Sequence, residues 1–140
     1  MREDRKQFIS HLCEVSMNIY FPHSKQLDYE QFYAAVRNST VLSKHTCILP
    51  YEKSEVPTNS QEIIKSADFI IAEVSYPGTG LGIELGWASS FQKRIICIYK
   101  YDFHPAKSLK YISEALISYQ NLTDLMKKIE TLLPNDKKSV

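Results

Sequence analysis

Glycine is scarce in this 140-residue chain. There are four, and all of them fall in Pro77-Gly78-Thr79-Gly80-Leu81-Gly82-Ile83-Glu84-Leu85-Gly86. A chain that otherwise avoids glycine has concentrated its backbone freedom in one loop, and that loop is where function is expected. Cysteine is also sparse: Cys13, Cys47 and Cys97 are scattered, with no CxxC spacing, which excludes a disulfide framework and a cysteine-based zinc site. An odd number of cysteines in hydrophobic surroundings predicts buried free thiols in a reducing cytoplasm. Charge of either sign is not in excess, since 17 Lys and Arg face 16 Asp and Glu, for a formal net charge of +1. That balance supplies no general field for a nucleic-acid polymer or an anionic membrane. Long hydrophobic runs are missing too. Phe69-Ile70-Ile71-Ala72 is far too short to span a bilayer, and no N-terminal stretch reads as a signal peptide. The four histidines are dispersed and form neither HxxxH nor HExxH, so no metal site is expected.

What is present reads as one ordinary globular domain, 44% hydrophobic and 24% charged. The punctuation alternates between two periods. Ser16 to Phe21 is a β-prone run ending at Pro22, and His45 to Leu49 a second ending at Pro50. Asp68 to Val74 is almost unbroken in its apolarity, and Arg94 to Tyr99 and Ala115 to Tyr119 complete a set of five strands. Between them, Asp28 to Asn38 carries Tyr29, Phe32, Tyr33 and Val36 at helical spacing. Asn59-Ser60-Gln61-Glu62 has the form of a capping box, a helix is expected from about Leu81 to Gln92, and a last helix is capped by Asn121 or Thr123. The expected fold is a single flavodoxin-like (Rossmann-like) three-layer α/β domain over residues 16–133, with a five-stranded parallel sheet. Residues 1–15, with Phe8, Ile9, Leu12 and Val15 in a stripe, are expected to form a helical extension, and 134–140 a disordered tail.

Parallel sheets bind ligands beyond the carboxyl ends of their strands. The loops that gather there are 22–27, 51–58, 75–80 and 100–107. Tyr51, Tyr76, Tyr101 and Phe103 lie in them and are the aromatic candidates for gripping a planar ligand; Trp87 reads rather as core or subunit contact. The glycine loop fails the dinucleotide fingerprint, because Leu85 stands where the third glycine belongs, and no Gly-Lys-Ser/Thr exists to make a P-loop. What remains is a strand, a Pro-Gly-Thr-Gly-Leu-Gly loop and a helix whose first turn is expected to carry Glu84. Two roles for Glu84 stand at this point. One is to complement the helix dipole; the other is to act as an ionised carboxylate on an electron-poor carbon beside an open cavity.

Residues 66 to 99 decide which family to compare. Asp68-Phe-Ile-Ile-Ala-Glu-Val-Ser-Tyr-Pro-Gly-Thr-Gly-Leu-Gly-Ile-Glu-Leu-Gly-Trp-Ala88, with the strand after Lys93, resembles the core of the nucleoside 2-deoxyribosyltransferase family. It is most similar to the branch of 2'-deoxynucleoside 5'-phosphate N-hydrolases. The resemblance implies cleavage of the N-glycosidic bond of a 2'-deoxynucleoside or its 5'-monophosphate. The carboxylate in Gly-x-Glu-Leu-Gly would attack C1' of the sugar, and the resulting ester would pass to water or to another base. Carried over residue by residue, it makes Glu84 the nucleophile, Asp68 an orienting acid or base, and Tyr20 a contact of the nucleophile or sugar. Ser24, Lys25, Gly78, Thr79, Gly80 and Gly82 would bind sugar or phosphate. Ser108 or Ser113 would be lent by a neighbouring subunit of a homodimer or larger homo-oligomer.

Two departures from the branch weaken its phosphate site. His23-Ser24-Lys25-Gln26-Leu27-Asp28 stands where the branch has Gly-Ser-Ile-Arg-Gly-Gly, so Lys25 offers charge without a bidentate grip. Gly78 stands where the branch has serine after the loop proline. A carboxylate nucleophile requires no cofactor. Two other functions stay open: a nucleotide-binding module without turnover, and a phosphoribohydrolase acting on ribonucleoside monophosphates.

Overall fold

Asn18–Tyr20 (β1), Thr46–Ile48 (β2), Phe69–Glu73 (β3), Arg94–Lys100 (β4) and Ala115–Tyr119 (β5) form one sheet in the order β2-β1-β3-β4-β5, with every pairing parallel. This is a computed structural model, and it describes residues 16–53 and 59–133. The helical extension expected over 1–15 and the tail over 134–140 lie outside the described residues, as does the 54–58 part of the second loop.

The sheet is covered on both faces, as a parallel sheet must be. Helices Tyr29–Asn38 (α1) and Leu122–Leu132 (α4) pack on one face, over a core that includes Ile19, Phe21, Phe32, Phe69, Ile71, Ile98, Leu125 and Ile129. Helices Ser60–Ser66 (α2) and Thr79–Ser90 (α3) pack on the other, over Tyr20, Ile64, Ile70, Ala72, Leu81, Leu85, Ile95 and Cys97. β3 explains its unbroken apolarity: as the central strand it is buried at every position, and successive side chains feed alternate cores. The capping signals work as written. Asn59 accepts from the Gln61 amide and Asn121 from the Asp124 amide. Two 3-10 turns, Leu42–Lys44 and Lys107–Tyr111, complete the connections. Cys47 and Cys97 are buried free thiols, and burial pushes the Cys97 thiol up to about 11.

Two consequences reach the site. The strand order reverses direction between β1 and β3, so the crevice at the carboxyl ends of those two strands is the place where ligands bind in such sheets. Secondly, α3 starts at Thr79, two residues before the expected start, with Gly78 as its N-cap. Glu84 is therefore in the second turn rather than the first. The helix dipole falls off within the first turn, so it does not account for this glutamate.

Candidate active site

A cavity of about 520 Å³ opens at the carboxyl ends of β1 and β3. Each wall comes from a different part of the chain. Tyr20, the last residue of β1, forms the floor, and the loop that follows supplies His23, Ser24, Lys25 and Gln26. Pro50 and Tyr51 come from the end of β2, Ser60 from the first turn of α2, and 77–81 from the glycine loop. Ile83, Glu84 and Trp87 are contributed by one side of α3, at the three- and four-residue spacing that puts side chains on one helix face.

Glu84 and Tyr20 make the central contact. The Tyr20 hydroxyl donates to Glu84 Oε2. Burial first, and then the Glu84 charge, hold the phenol far above its ordinary value, so Tyr20 remains a donor throughout the physiological range. The Ser60 hydroxyl opposes that shift by hydrogen-bonding to the phenol oxygen. Tyr20 thus stands between a donor and an acceptor, with its proton directed at one carboxylate oxygen. The other oxygen is left for the cavity.

The opposite wall is suited to an anion or a hydroxyl group. α3 has no side-chain cap, because its N-cap is Gly78, and the first-turn N–H groups of Thr79, Gly80 and Leu81 have no intrahelical acceptor. Ser24 lies beside Gly78: a Cβ at position 78 would lie 3.4 Å from Ser24 Oγ, an ordinary contact distance. Lys25 is exposed at the rim, its Nζ 5.4 Å from the centre of the Tyr51 ring. Among the described residues, no group of three or more His, Cys, Asp or Glu comes together to hold a metal ion.

The structure brings Glu84, Tyr20, Ser24, Lys25, Gly78, Thr79 and Gly80 into this one cavity, and Tyr51 with them. Several other candidates lie outside it. Asp68 precedes β3 and so sits at the amino edge of the sheet, where its Oδ2 accepts the Asn18 amide at 2.8 Å; it joins the starts of β1 and β3 and does not line the cavity. Gly82 is inside α3, its N–H donated to Gly78 O, and it faces open space outside the cavity. Ser108 lies exposed in the second 3-10 turn, outside the cavity of its own chain. Tyr76 and Phe103 do not line this cavity. They meet edge to face at 5.1 Å and hold Lys100, whose Nζ bonds the Tyr76 hydroxyl. Trp87, expected in core or interface, packs against the core on the α2–α3 side and also lines the cavity. Ser60 was not singled out from sequence. The capping box that starts α2 contained the signal, because a helix entered from a strand's carboxyl end begins on the ligand side of a parallel sheet.

The fold is that of the nucleoside deoxyribosyltransferases. A CMP N-glycosidase of Clostridium botulinum superposes with a TM-score of 0.61, at 20% identity, over 83% of this chain and 99% of that one. A 2-deoxyribosyltransferase of Bacillus psychrosaccharolyticus gives 0.55 at 21% identity, over 78% and 90%. Among curated proteins, the chain is similar to the 5-hydroxymethyl-dUMP N-hydrolase of Homo sapiens, at 46% identity over 39 residues, covering 28% of this chain and 22% of that protein. It also resembles, at 27% identity over 109 residues, a Thermofilum pendens protein whose given name assigns it provisionally to the 2'-deoxynucleoside 5'-phosphate N-hydrolases, covering 70% and 76%. The human protein and a 5-hydroxymethyl-dUMP N-hydrolase of Branchiostoma floridae, 36% identical over 47 residues, are matched over only 22% and 45% of their length. No family model matches the chain. The curated relatives bear the names of the family the sequence resembles, and the solved structures share its fold.

Proposed function

We propose that this protein cleaves the N-glycosidic bond of 2'-deoxynucleosides or their 5'-monophosphates, with Glu84 as the nucleophile. The observation that carries this reading is the Glu84 carboxylate, turned into a ligand-sized cavity and held on one oxygen by Tyr20. In the proposed reaction the free oxygen attacks C1', and the C1'–N bond breaks with its electron pair passing to the base. A glycosyl ester forms on Glu84. Water then adds at C1' and regenerates the carboxylate; the proton released by the water balances the one gained by the base. Tyr20 orients the nucleophile, while Ser24, Lys25, Thr79 and the first-turn amides of α3 receive the sugar and its 5' substituent. Tyr51 and Trp87 offer faces to the base. The names of the curated relatives support this choice of substrate class.

The deoxyribosyl group can pass to water or to a second base at the same residues, and adding free base as acceptor separates the two outcomes. The proposed assembly is a cytoplasmic homodimer or larger homo-oligomer, in which the exposed Ser108 would serve a neighbour's cavity. The direct test is chromatographic detection of free base after incubating wild type and Glu84→Gln with deoxynucleosides, ribonucleosides and the 5'-monophosphates of both. Base release from deoxy substrates by wild type alone is the expected result. Preference for ribonucleotides would indicate a phosphoribohydrolase, and binding without release from any substrate would indicate a nucleotide-binding module.

A further inference from the structure

One buried polar chain beside the cavity takes no part in the reaction just described. His23 is 4% exposed and sits in the loop after β1, where its backbone makes a parallel bridge to Glu73. Its Nδ1 is 2.8 Å from the carbonyl oxygen of Ser24, which can only accept, so Nδ1 carries the ring hydrogen. Nε2, 2.7 Å from the Tyr33 hydroxyl, is then the acceptor, and Tyr33 donates to it. The Tyr33 oxygen in turn accepts the Tyr51 amide at 3.0 Å. The ring is also enclosed by aromatic neighbours, with Tyr29, Tyr33 and Tyr51 each at 5.5 Å between centroids.

This chain of three hydrogen bonds joins two loops that α1 otherwise separates. At one end is the turn in which Ser24 accepts the Gln26 amide through Oγ and the Leu27 amide through its carbonyl oxygen. At the other is Tyr51, whose ring forms the facing wall and lies under Lys25. We propose that His23 and Tyr33 are positioning residues for the site: they lock the loop after β1 to the loop after β2 and so set the distance of Ser24 and Lys25 from Tyr51 across the cavity. The proposal rests on the reading that this cavity holds the nucleotide. It adds that the grip on the sugar and its 5' substituent depends on a buried, neutral histidine whose two ring nitrogens are both bonded to protein groups.

The link keeps this polarity, with Tyr33 as donor, only while His23 is neutral. A second ring hydrogen on Nε2 would force the Tyr33 hydroxyl hydrogen away from its acceptor. The groups that face His23 leave it little charge compensation. α1 offers the neutral phenols of Tyr29 and Tyr33, and the β2 loop offers Tyr51, with Glu52 already held by Arg37. Glu73 on β3 is held by Ser75 and Tyr119, Glu84 on α3 by Tyr20, and the only cation on its own loop is Lys25.

The test uses full-length wild type, Tyr33→Phe, His23→Asn and His23→Gln with a deoxynucleoside 5'-monophosphate. Asparagine can keep the donor to Ser24, glutamine the acceptor for Tyr33, but neither keeps both. Losing one hydrogen bond of the link in His23→Asn, and two in Tyr33→Phe, should raise KM about 5- to 10-fold in the first and at least as much in the second, with kcat within about twofold, because the groups at C1' are untouched. The excess in KM of His23→Asn over wild type should shrink as pH falls through the folded His23 value, which lies below the ordinary 6.5, because the titration of the substrate's own phosphate at about 6 is common to both proteins. A merely structural role would lower melting temperature and active fraction together and leave KM and its pH profile as in wild type; that result overturns the proposal. Amide exchange gives a readout independent of turnover. If the lock is real, Gln26 and Leu27 exchange faster in Tyr33→Phe; unchanged exchange overturns it. A wild type without base release, but with this exchange difference and weakened nucleotide binding in Tyr33→Phe, would remove the enzymatic reading and keep the lock.

Discussion

Tyr20 ends β1 and Glu84 lies 64 residues later on α3, yet the phenol hydroxyl of the first donates directly to Oε2 of the second. The bond crosses the crevice where strand order reverses. Strand and helix are rigid elements, so the carboxylate is held in one orientation without a loop to position it. Replacing Tyr20 by Phe removes a hydrogen bond to a charged group, worth about 1.5–3 kcal/mol, and kcat should fall roughly 10- to 100-fold. Glu84→Gln should lose about 10⁴-fold or more, as removal of a catalytic nucleophile does. Steady-state base release measures both. A Tyr20→Phe enzyme with unchanged kcat would remove Tyr20 from the reaction.

Asp68 yields the opposite expectation. Its carboxylate accepts the Asn18 amide at the amino edge of the sheet, on the far side from Glu84. Asp68→Ala should cost about 1 kcal/mol of stability through the lost hydrogen bond and leave kcat within about twofold. Denaturant titration beside a turnover assay checks this, and a large drop in kcat with unchanged stability would return Asp68 to the chemistry.

Burial lowers the His23 pKa from the ordinary 6.5, and the hydrogen bond to Ser24 only partly opposes it. The folded protein therefore binds fewer protons than the unfolded chain in the window just below 6.5. The stability this residue secures is complete above pH 6.5 and is lost as pH falls through the folded value. Unfolding free energy measured from pH 7.5 to 5 should fall through that window in wild type and fall less in His23→Gln. Equal slopes would show that His23 is not the group titrating.

Glu73 is 1% exposed at the end of β3 and accepts from the Ser75 amide, the Ser75 hydroxyl and the Tyr119 hydroxyl. Ser75 Oγ also accepts the Lys100 amide, so one carboxylate ties the ends of β3, β4 and β5 together. Burial and the Glu73 charge raise the Tyr119 phenol well above its ordinary value, which keeps it a donor. Tyr119→Phe should lower stability by about 1.5–3 kcal/mol and the melting temperature by several degrees, with kcat little changed. Thermal unfolding followed by turnover at a permissive temperature tests it; a variant as stable as wild type would show that the carboxylate does not need Tyr119.

The alternation of strands and helices could be read from residue order because each element is set by local periodicity. Alternating short apolar runs and amphipathic stretches leave a parallel sheet as the only economical arrangement, and β5, the weakest of the runs, still forms at Ala115–Tyr119. The glycine loop and Glu84 were legible for a similar reason: backbone freedom confined to one loop marks where the chain approaches a ligand. Tyr20, Ser24 and Lys25 were named only through the family resemblance, and Ser60 not at all, because periodicity does not show which loops become neighbours. Tyr20 looks like a core aromatic and Ser60 like a cap residue until β1 is laid beside β3 and α2 beside α3. Trp87 joins the cavity only through the phase of α3, which starts two residues earlier than its pattern suggests. Asp68 shows the same limit in reverse: its motif placed it near the reaction, but a residue that enters a parallel strand lies at the opposite end of the sheet from one that leaves it. Periodicity along a chain fixes direction and burial. Distances between loops follow from strand order and helix rotation, and those come from the packing of the whole domain.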